Sequence, residues 1–277
     1  MVSTTHVPNI NIGVLGHVDS GKTSICRALS TQLSTSALDK NPQSKQRGIT
    51  LELGFSAFYI PIDKLIHTDN IKLVHNDINQ LQVCLVDCPG HASLIRTVVS
   101  GASIISHVLL CIDASKGIQT QTGECIVLTE LLQNIAHITV VINKIDLLTS
   151  YDTQYNKLCK QIQSIFNQTR FKSQHITIVP ASAINHNVQE LIESLYQSIE
   201  LPSFDIASIQ SQPFLMQVDH CFNVKGSGTV MTGTVLSGCI DVNDNVELPT
   251  LNVIKKVKSI QSFKQSLDTV FKGMYTT

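Results

Sequence analysis

Eight residues near the N-terminus, Gly16–Thr23, read GHVDSGKT and leave little freedom in how the surrounding chain can fold. Their spacing fits G-x-x-x-x-G-K-[ST], a loop that a strand must deliver and a helix must draw away. Ile10–Leu15 in front is short, apolar and rich in β-branched residues, and Lys22–Leu33 behind reads as helix. Gly16 and Gly21 let the backbone curl until successive N–H groups point inward at phosphate oxygens. The helix N-terminus adds its partial positive charge. Asp19, Ser20 and Gly21 supply this cradle, Lys22 sets a cation against the β- and γ-phosphates, and Thr23 offers a hydroxyl to Mg²⁺.

The rest of the chain supplies the scaffold such a loop requires. Short apolar runs at Leu81–Asp87, Val108–Asp113, Ile138–Asn143 and Ile176–Pro180 alternate with helical stretches near His91–Ala102, Thr120–Asn134, Asp152–Asn167 and Val188–Ile199. In the last of these, Val188, Leu191, Ile192, Leu195 and Ile199 form one apolar stripe. With the phosphate loop, this alternation predicts an α/β fold, a P-loop nucleotide-binding domain with a mainly parallel sheet covered by helices on both faces, over residues 1–200. Two stretches break it. Residues 34–50 are polar and aperiodic, a long loop with a functional role; residues 61–80 read as an exposed insertion between strands. Residues 201–212 resemble a linker. From 213 to 277, alternating runs at Phe214–Phe222 and Thr229–Leu236 flank Gly226-Ser227-Gly228, with further short β-rich runs at Val246–Leu248 and Val253–Phe263. They predict a small antiparallel β-barrel domain, incomplete by one or two strands.

Composition narrows the classes. The net charge of −1 gives no global pull toward nucleic acid, leaving only a local surface for RNA. Eight cysteines contain no CxxC pair, which favours buried, reduced thiols over zinc or disulfides. The N-terminus lacks a basic stretch followed by an apolar one, and the most apolar run, Ile104–Ile112, is too short to span a bilayer. A cytoplasmic monomer without a membrane is expected.

The base is chosen elsewhere. Asn143-Lys144-Ile145-Asp146 closes a strand, where Asp146 can accept hydrogen bonds from N1–H and the 2-amino group of guanine. Adenine offers neither donor, and a site built to pair with a group rejects analogues lacking it. Asn143 can brace the loop and the stem of Lys144 can cover the base plane. Ala181-Ser182-Ala183 follows another strand, and the backbone N–H groups of Ser182 and Ala183 can meet guanine O6. Asp87-Cys88-Pro89-Gly90 ends a third strand: Asp87 can hold Mg²⁺ through a water, and Gly90 N–H can bond the γ-phosphate. Thr50 closes the long loop and can give Mg²⁺ a second hydroxyl. Both contacts need the γ-phosphate, so hydrolysis of GTP to GDP would release both loops.

The ordered set GHVDSGKT, RGIT, DCPGH, NKID and ASA resembles translational GTPases such as elongation factor Tu rather than signalling GTPases. The resemblance implies that His91 orients the attacking water when the ribosome pushes it into place, with Val18 and Ile49 as its apolar gate. Ser34–Phe58, Leu85–Ala102 and Val218–Gly238 are similar, more closely, to the selenocysteine-specific elongation factors of eukaryotes. That family implies GTP and Mg²⁺ as ligands and delivery of selenocysteyl-tRNA to the ribosome at recoded UGA codons. It also implies an aminoacyl pocket to which Asp219 and His220 match. Two departures stand against it: no arginine occurs in Lys272-Gly273-Met274-Tyr275, where the family carries one, and the family's third and fourth domains have no counterpart in this sequence. The alternatives are a truncated GTP-binding module without tRNA delivery, and a translational GTPase carrying another aminoacyl-tRNA.

Overall fold

The computed structural model describes residues 8–33, 54–65, 79–88, 105–132, 134–171, 175–185, 187–199, 206–226 and 228–277. Seven strands form one sheet: β1 (Asn9–Gly16), β2 (Gln32–Leu33), β3 (Gly54–Pro61), β4 (Gln80–Asp87), β5 (His107–Asp113), β6 (His137–Asn143) and β7 (Ile176–Pro180). Their order is β2-β3-β4-β1-β5-β6-β7. β1 pairs in parallel with β4 and β5, and β5, β6 and β7 continue in parallel. Every residue of β1 is buried, as a strand covered on both faces requires.

Four helices of this region are described, α1 (Lys22–Leu29), α2 (Thr120–Leu131), α3 (Tyr151–Phe166) and α4 (Gln189–Ser198). One face of the sheet, through Ile12 and Val14, packs on Ile25 and Leu29 of α1 and on Leu191 and Leu195 of α4. The other face, through Leu15, Val108 and Leu110, packs on Ile126 of α2 and on Leu158, Ile162 and Phe166 of α3. The stripe expected in 188–199 is therefore real: Leu191 and Leu195 are fully buried and Ile192 packs at their margin. Each such side chain contributes roughly 1.5–3 kcal/mol.

Three details differ from the sequence reading. The first helix stops at Leu29 rather than Leu33. Ser30 turns its hydroxyl back onto the Cys26 carbonyl and onto Ser56 Oγ, and Thr31 N–H donates to Ala57 O. Gln32–Leu33 then pairs with Ser56–Ala57, so sheet pairing overrides helical preference. β3 is an antiparallel strand beside β4 that the sequence reading did not list. Inside 61–80, Ile62 and Leu65 are buried in the core rather than exposed. The helix expected at 91–102 lies outside the described residues.

Within 201–212, Ile206–Gln210 forms a short helix, α5, whose Ile209 is buried. The β-rich region that follows opens with the hairpin β8 (Leu215–Val224) and β9 (Gly228–Ser237). It continues through β10 (Cys239–Asp241), β11 (Asn245–Leu248), β12 (Val253–Lys256), β13 (Ile260–Ser262), β14 (Gln265–Leu267), β15 (Thr269–Phe271) and β16 (Tyr275–Thr276). All described pairings here are antiparallel, and Val235, Ile240, Ile260, Val270 and Met274 form their own small core. Among the described residues no helix is long and apolar enough to cross a membrane.

Candidate functional site

The C-terminal ends of β1, β4, β5, β6 and β7 lie together, the place where open α/β sheets bind ligands. From β1 the chain enters the loop 17–21 and turns into α1 at Gly21, whose φ of 91° caps the helix in left-handed backbone. A Cβ added there would stand 2.2 Å from Asn143 Nδ2, and one at Gly16 would stand 2.3 Å from the Cys111 carbonyl oxygen. Both positions exclude any side chain. Asp19 also has positive φ, 62°, and Ser20 N–H closes the turn on the His17 carbonyl at 3.3 Å. Ser20 is buried, and its hydroxyl has no hydrogen-bond partner among the described residues.

Lys22 is buried, and its ammonium donates to the carbonyls of Gly16, at 3.0 Å, and His17, at 2.8 Å. Among the described residues no carboxylate pairs with it, so a buried cation sits beside a helix N-terminus with carbonyls as its partners. That is an anion-binding arrangement. Burial and the charges of Lys116 and Lys22 together lower the pKa of His17. Val18, one of the gate residues, donates its N–H to Gln121 Oε1 on α2 at 3.1 Å. Thr23 Oγ1 donates to Asp87 Oδ2 at 2.6 Å, and Asp87 is fully buried. A hydroxyl and a carboxylate in contact, at the start of α1 and the end of β4, form the hard-oxygen pair that suits Mg²⁺.

The base-side residues come together from three loops. Asn143 Nδ2 donates to Ser20 O at 3.0 Å, and Ala183 N–H donates to Asn143 Oδ1 at 3.3 Å. One buried amide thus ties the phosphate loop to the 181–183 turn. Lys144, in left-handed backbone with φ 63°, donates from Nζ to Asp19 O at 2.6 Å and to Asp113 Oδ2 at 2.7 Å. Asp146 Oδ1 accepts from Ser182 Oγ at 2.5 Å, and Ser182 is held by paired backbone bonds with Asn187. Asp146 is exposed, not buried as rejection of adenine by an unpaired carboxylate would call for.

Asp113 is the functional candidate that sequence reading passed over. Burial alone would raise its pKa, but hydrogen bonds from Lys144 and Ser115 hold its carboxyl below the usual range. Its place at the end of β5, before the turn at Ala114-Ser115, was the available signal. Gly90, His91, Thr50 and Ile49 lie outside the described residues.

Asp219 and His220 stand on β8. His220 Nδ1 lies 3.4 Å from Asp219 Oδ1, the oxygen that also accepts from Thr232 Oγ1. Asp219 Oδ2 accepts from Tyr275 OH at 3.0 Å. Thr232 carried no sequence signal of its own, and Tyr275 stood out only as part of Lys272–Tyr275, where the family's arginine is missing.

With this geometry in place, comparison with known proteins adds the following. Residues 7–201 match the family model described as the elongation factor Tu GTP binding domain. A mouse selenocysteine-specific elongation factor is 47% identical over 96% of this chain and 45% of its own length. The protein of that description from Methanocaldococcus jannaschii is 37% identical over 99% of this chain and 53% of its own. The chain thus spans about half the length of these relatives. Among solved structures, elongation factor SelB of Methanococcus maripaludis in complex with the GTP analogue GPPNHP superposes with a TM-score of 0.73 at 31% identity, over 98% of this chain and 51% of that one. A bacterial selenocysteine-specific factor shares the fold, with a TM-score of 0.77 at 24% identity over 98% of this chain and 42% of that one.

Proposed function

Because the chain belongs to the elongation factor Tu GTP-binding family, as a homologue of the selenocysteine-specific factors, we propose that it delivers selenocysteyl-tRNA to the ribosome at recoded UGA codons. The coarser statement is plain: it is a translational GTPase of that family. The convergence of Lys22, the Thr23–Asp87 pair and the Asn143–Asp146 loop at one end of the sheet supports the nucleotide chemistry, and the observation that carries the finer reading is the 47% identity to a selenocysteine-specific factor. The stretch Val218–Gly238 resembles the selenocysteine factors.

In this reading the 16–23 loop and Lys22 hold the triphosphate, while Asp146, steered by Ser182, checks the guanine edge. Thr23, Thr50 and Asp87 would hold Mg²⁺, which when bound neutralises phosphate charge. His91, gated by Val18 and Ile49, orients the water that attacks the γ-phosphate, and Gly90 N–H reports whether that phosphate is present. GDP then remains. Asp219 and His220 meet the aminoacyl group. Residues 1–200 form the nucleotide domain, 201–212 the connection and 213–277 part of a β-barrel domain, working as a monomer in the cytoplasm.

Calorimetry and tRNA retention test this in sequence. GTP and GDP should bind in the presence of Mg²⁺ with ATP excluded, and selenocysteyl-tRNA should be retained over seryl-tRNA in GTP but not in GDP. Indifference between GTP and ATP would remove the nucleotide assignment, and equal retention of both tRNAs would remove the selenocysteine role. A second reading, a GTP-binding module without tRNA delivery, is favoured by one observation: Lys272–Tyr275 contains no arginine. Retention of no tRNA in either nucleotide would select it.

A further inference from the structure

The β-rich region is not merely adjacent to the nucleotide region; it is fastened to the sheet by a short stretch of backbone and one aromatic ring. Asn9 and Asn11, on β1, donate from their side-chain amides to a single acceptor, the Gly273 carbonyl, at 2.6 and 2.9 Å. Two residues later, Tyr275 stacks on Phe55 of β3 with ring centroids 3.8 Å apart and planes 16° from parallel. Tyr275 is 1% exposed and Phe55 2%, so the stack is dry, and both belong to the core beneath the sheet rather than to the core of the β-rich region. Ser262 Oγ donates to the Tyr275 carbonyl at 2.7 Å and sets the backbone as well.

The far end of that ring is where the chemistry lies. Tyr275 OH donates to Asp219 Oδ2 at 3.0 Å, while Thr232 Oγ1 donates to Asp219 Oδ1. A carboxylate that accepts one bond on each oxygen is fixed in rotamer. His220 Nδ1 stands 3.4 Å from that carboxylate, an electrostatic contact rather than a hydrogen bond. The chain of support therefore runs from Phe55 through Tyr275 and Asp219 to His220.

We propose that Tyr275 is the positioning residue of the aminoacyl pocket: braced on Phe55 of the nucleotide domain, it holds Asp219 so that His220 meets the acyl side chain in one orientation. The pocket itself is part of the function proposed above, and this inference rests on that reading. Nothing in it needs a cation from residues 272–275. A phenol that fixes Asp219 beside His220 sets where the polar groups of the pocket meet the acyl side chain.

The variant Tyr275→Phe keeps the ring and its stack and deletes only the hydroxyl. Retention of selenocysteyl-tRNA and of seryl-tRNA on the GTP-loaded chain is measured for both proteins, with GTP affinity and thermal midpoint alongside. The expected result is unchanged GTP affinity and about a tenfold fall in the selenocysteyl-to-seryl ratio, the scale of one hydrogen bond to a charged group. Equal weakening of both tRNAs would make Tyr275 a structural prop only and overturn the proposal. An unchanged ratio would overturn it as well, and would leave the pocket standing. If the unmutated chain retains neither tRNA, the pocket reading fails and the inference falls with it.

Discussion

Asp113→Asn isolates a residue that holds Lys144 in the loop proposed to read the base. Lys144 sits in left-handed backbone, a conformation that costs a non-glycine residue on the order of 1 kcal/mol or more. Two bonds from its ammonium hold it there, one to Asp19 O at 2.6 Å and one to Asp113 Oδ2 at 2.7 Å. Asp113 is 5% exposed, whereas the Lys144 side chain is 25% exposed, so solvent screens one end of the pair. Breaking a fully buried pair costs about 3–5 kcal/mol. The partial exposure of Lys144 lowers that toward the about 1.5–3 kcal/mol of a hydrogen bond to a charged group. The asparagine preserves shape and the contact with Ser115, leaving Lys144 with one anchor. Since about 1.4 kcal/mol is tenfold in affinity, GTP and GDP should each bind roughly ten- to a hundredfold more weakly. Competition with a fluorescent guanine nucleotide measures this, and Ser115→Ala, which leaves the ion pair intact, is the control. Affinity within twofold of the unmutated chain, alongside a lowered melting temperature, would refute the argument: Asp113 would then stabilise the fold and have no part in holding Lys144 for the nucleotide.

Other outcomes follow from the same geometry. Asp146→Asn should move preference from GTP toward xanthosine triphosphate, whose 2-oxo group accepts from an amide; competition binding checks it, and undiminished GTP affinity would contradict the base-reading role. His91→Ala should leave GTP binding intact and slow ribosome-stimulated hydrolysis by about 10²-fold or more, the scale of a positioned acid–base group; single-turnover phosphate release reads this out. His107, buried against Thr139 and stacked 5.4 Å from His137, is pushed by burial down to about 3, and His137 down to about 4. The unfolded chain protonates both near 6.5, so it binds more protons than the folded chain below that pH, and stability is lost as pH falls from about 6.5 toward 4. His107→Gln should remove up to about 1.4 kcal/mol per pH unit from that slope, as measured by urea unfolding at several pH values; an unchanged slope would show that His107 is not the group responsible.

How much of this was legible beforehand follows from which forces act locally. The phosphate loop could be read because its spacing is imposed by covalent geometry: Gly16 and Gly21 have no room for a Cβ, and Lys22 must begin a helix. β1, β4, β5 and β6 could be read because their buried runs are rich in β-branched and other apolar residues. β3 could not. Its residues GFSAFYIP are buried on both faces for most of their length, so period-two alternation is absent, and three aromatics among Ser, Ala and Pro do not announce a strand. Only pairing with β4 and with Gln32–Leu33 makes it one. The early stop of α1 has the same origin.

The site divides along the same line, and the division bears on mechanism. Residues whose role is to present backbone or a charge to a ligand were visible as motifs. Those whose role is to hold such residues were not, because Asp113 reaches Lys144 across 31 positions and Tyr275 reaches Asp219 across 56. Such pairs leave no pattern in sequence and appear only when the sheet brings strand ends together. β3 makes the consequence concrete. Its Gly54 lies opposite Asp87, and its next residue, Phe55, carries the Tyr275 ring that fixes Asp219. A shift of β3 by even a fraction of the stacking distance would be felt at both ends, at the carboxylate beside Thr23 and at the carboxylate beside His220. The least readable strand in the sequence is therefore the one that joins the two sites, and substitutions at Phe55 should disturb both where substitutions at Asp146 or Asp219 disturb one.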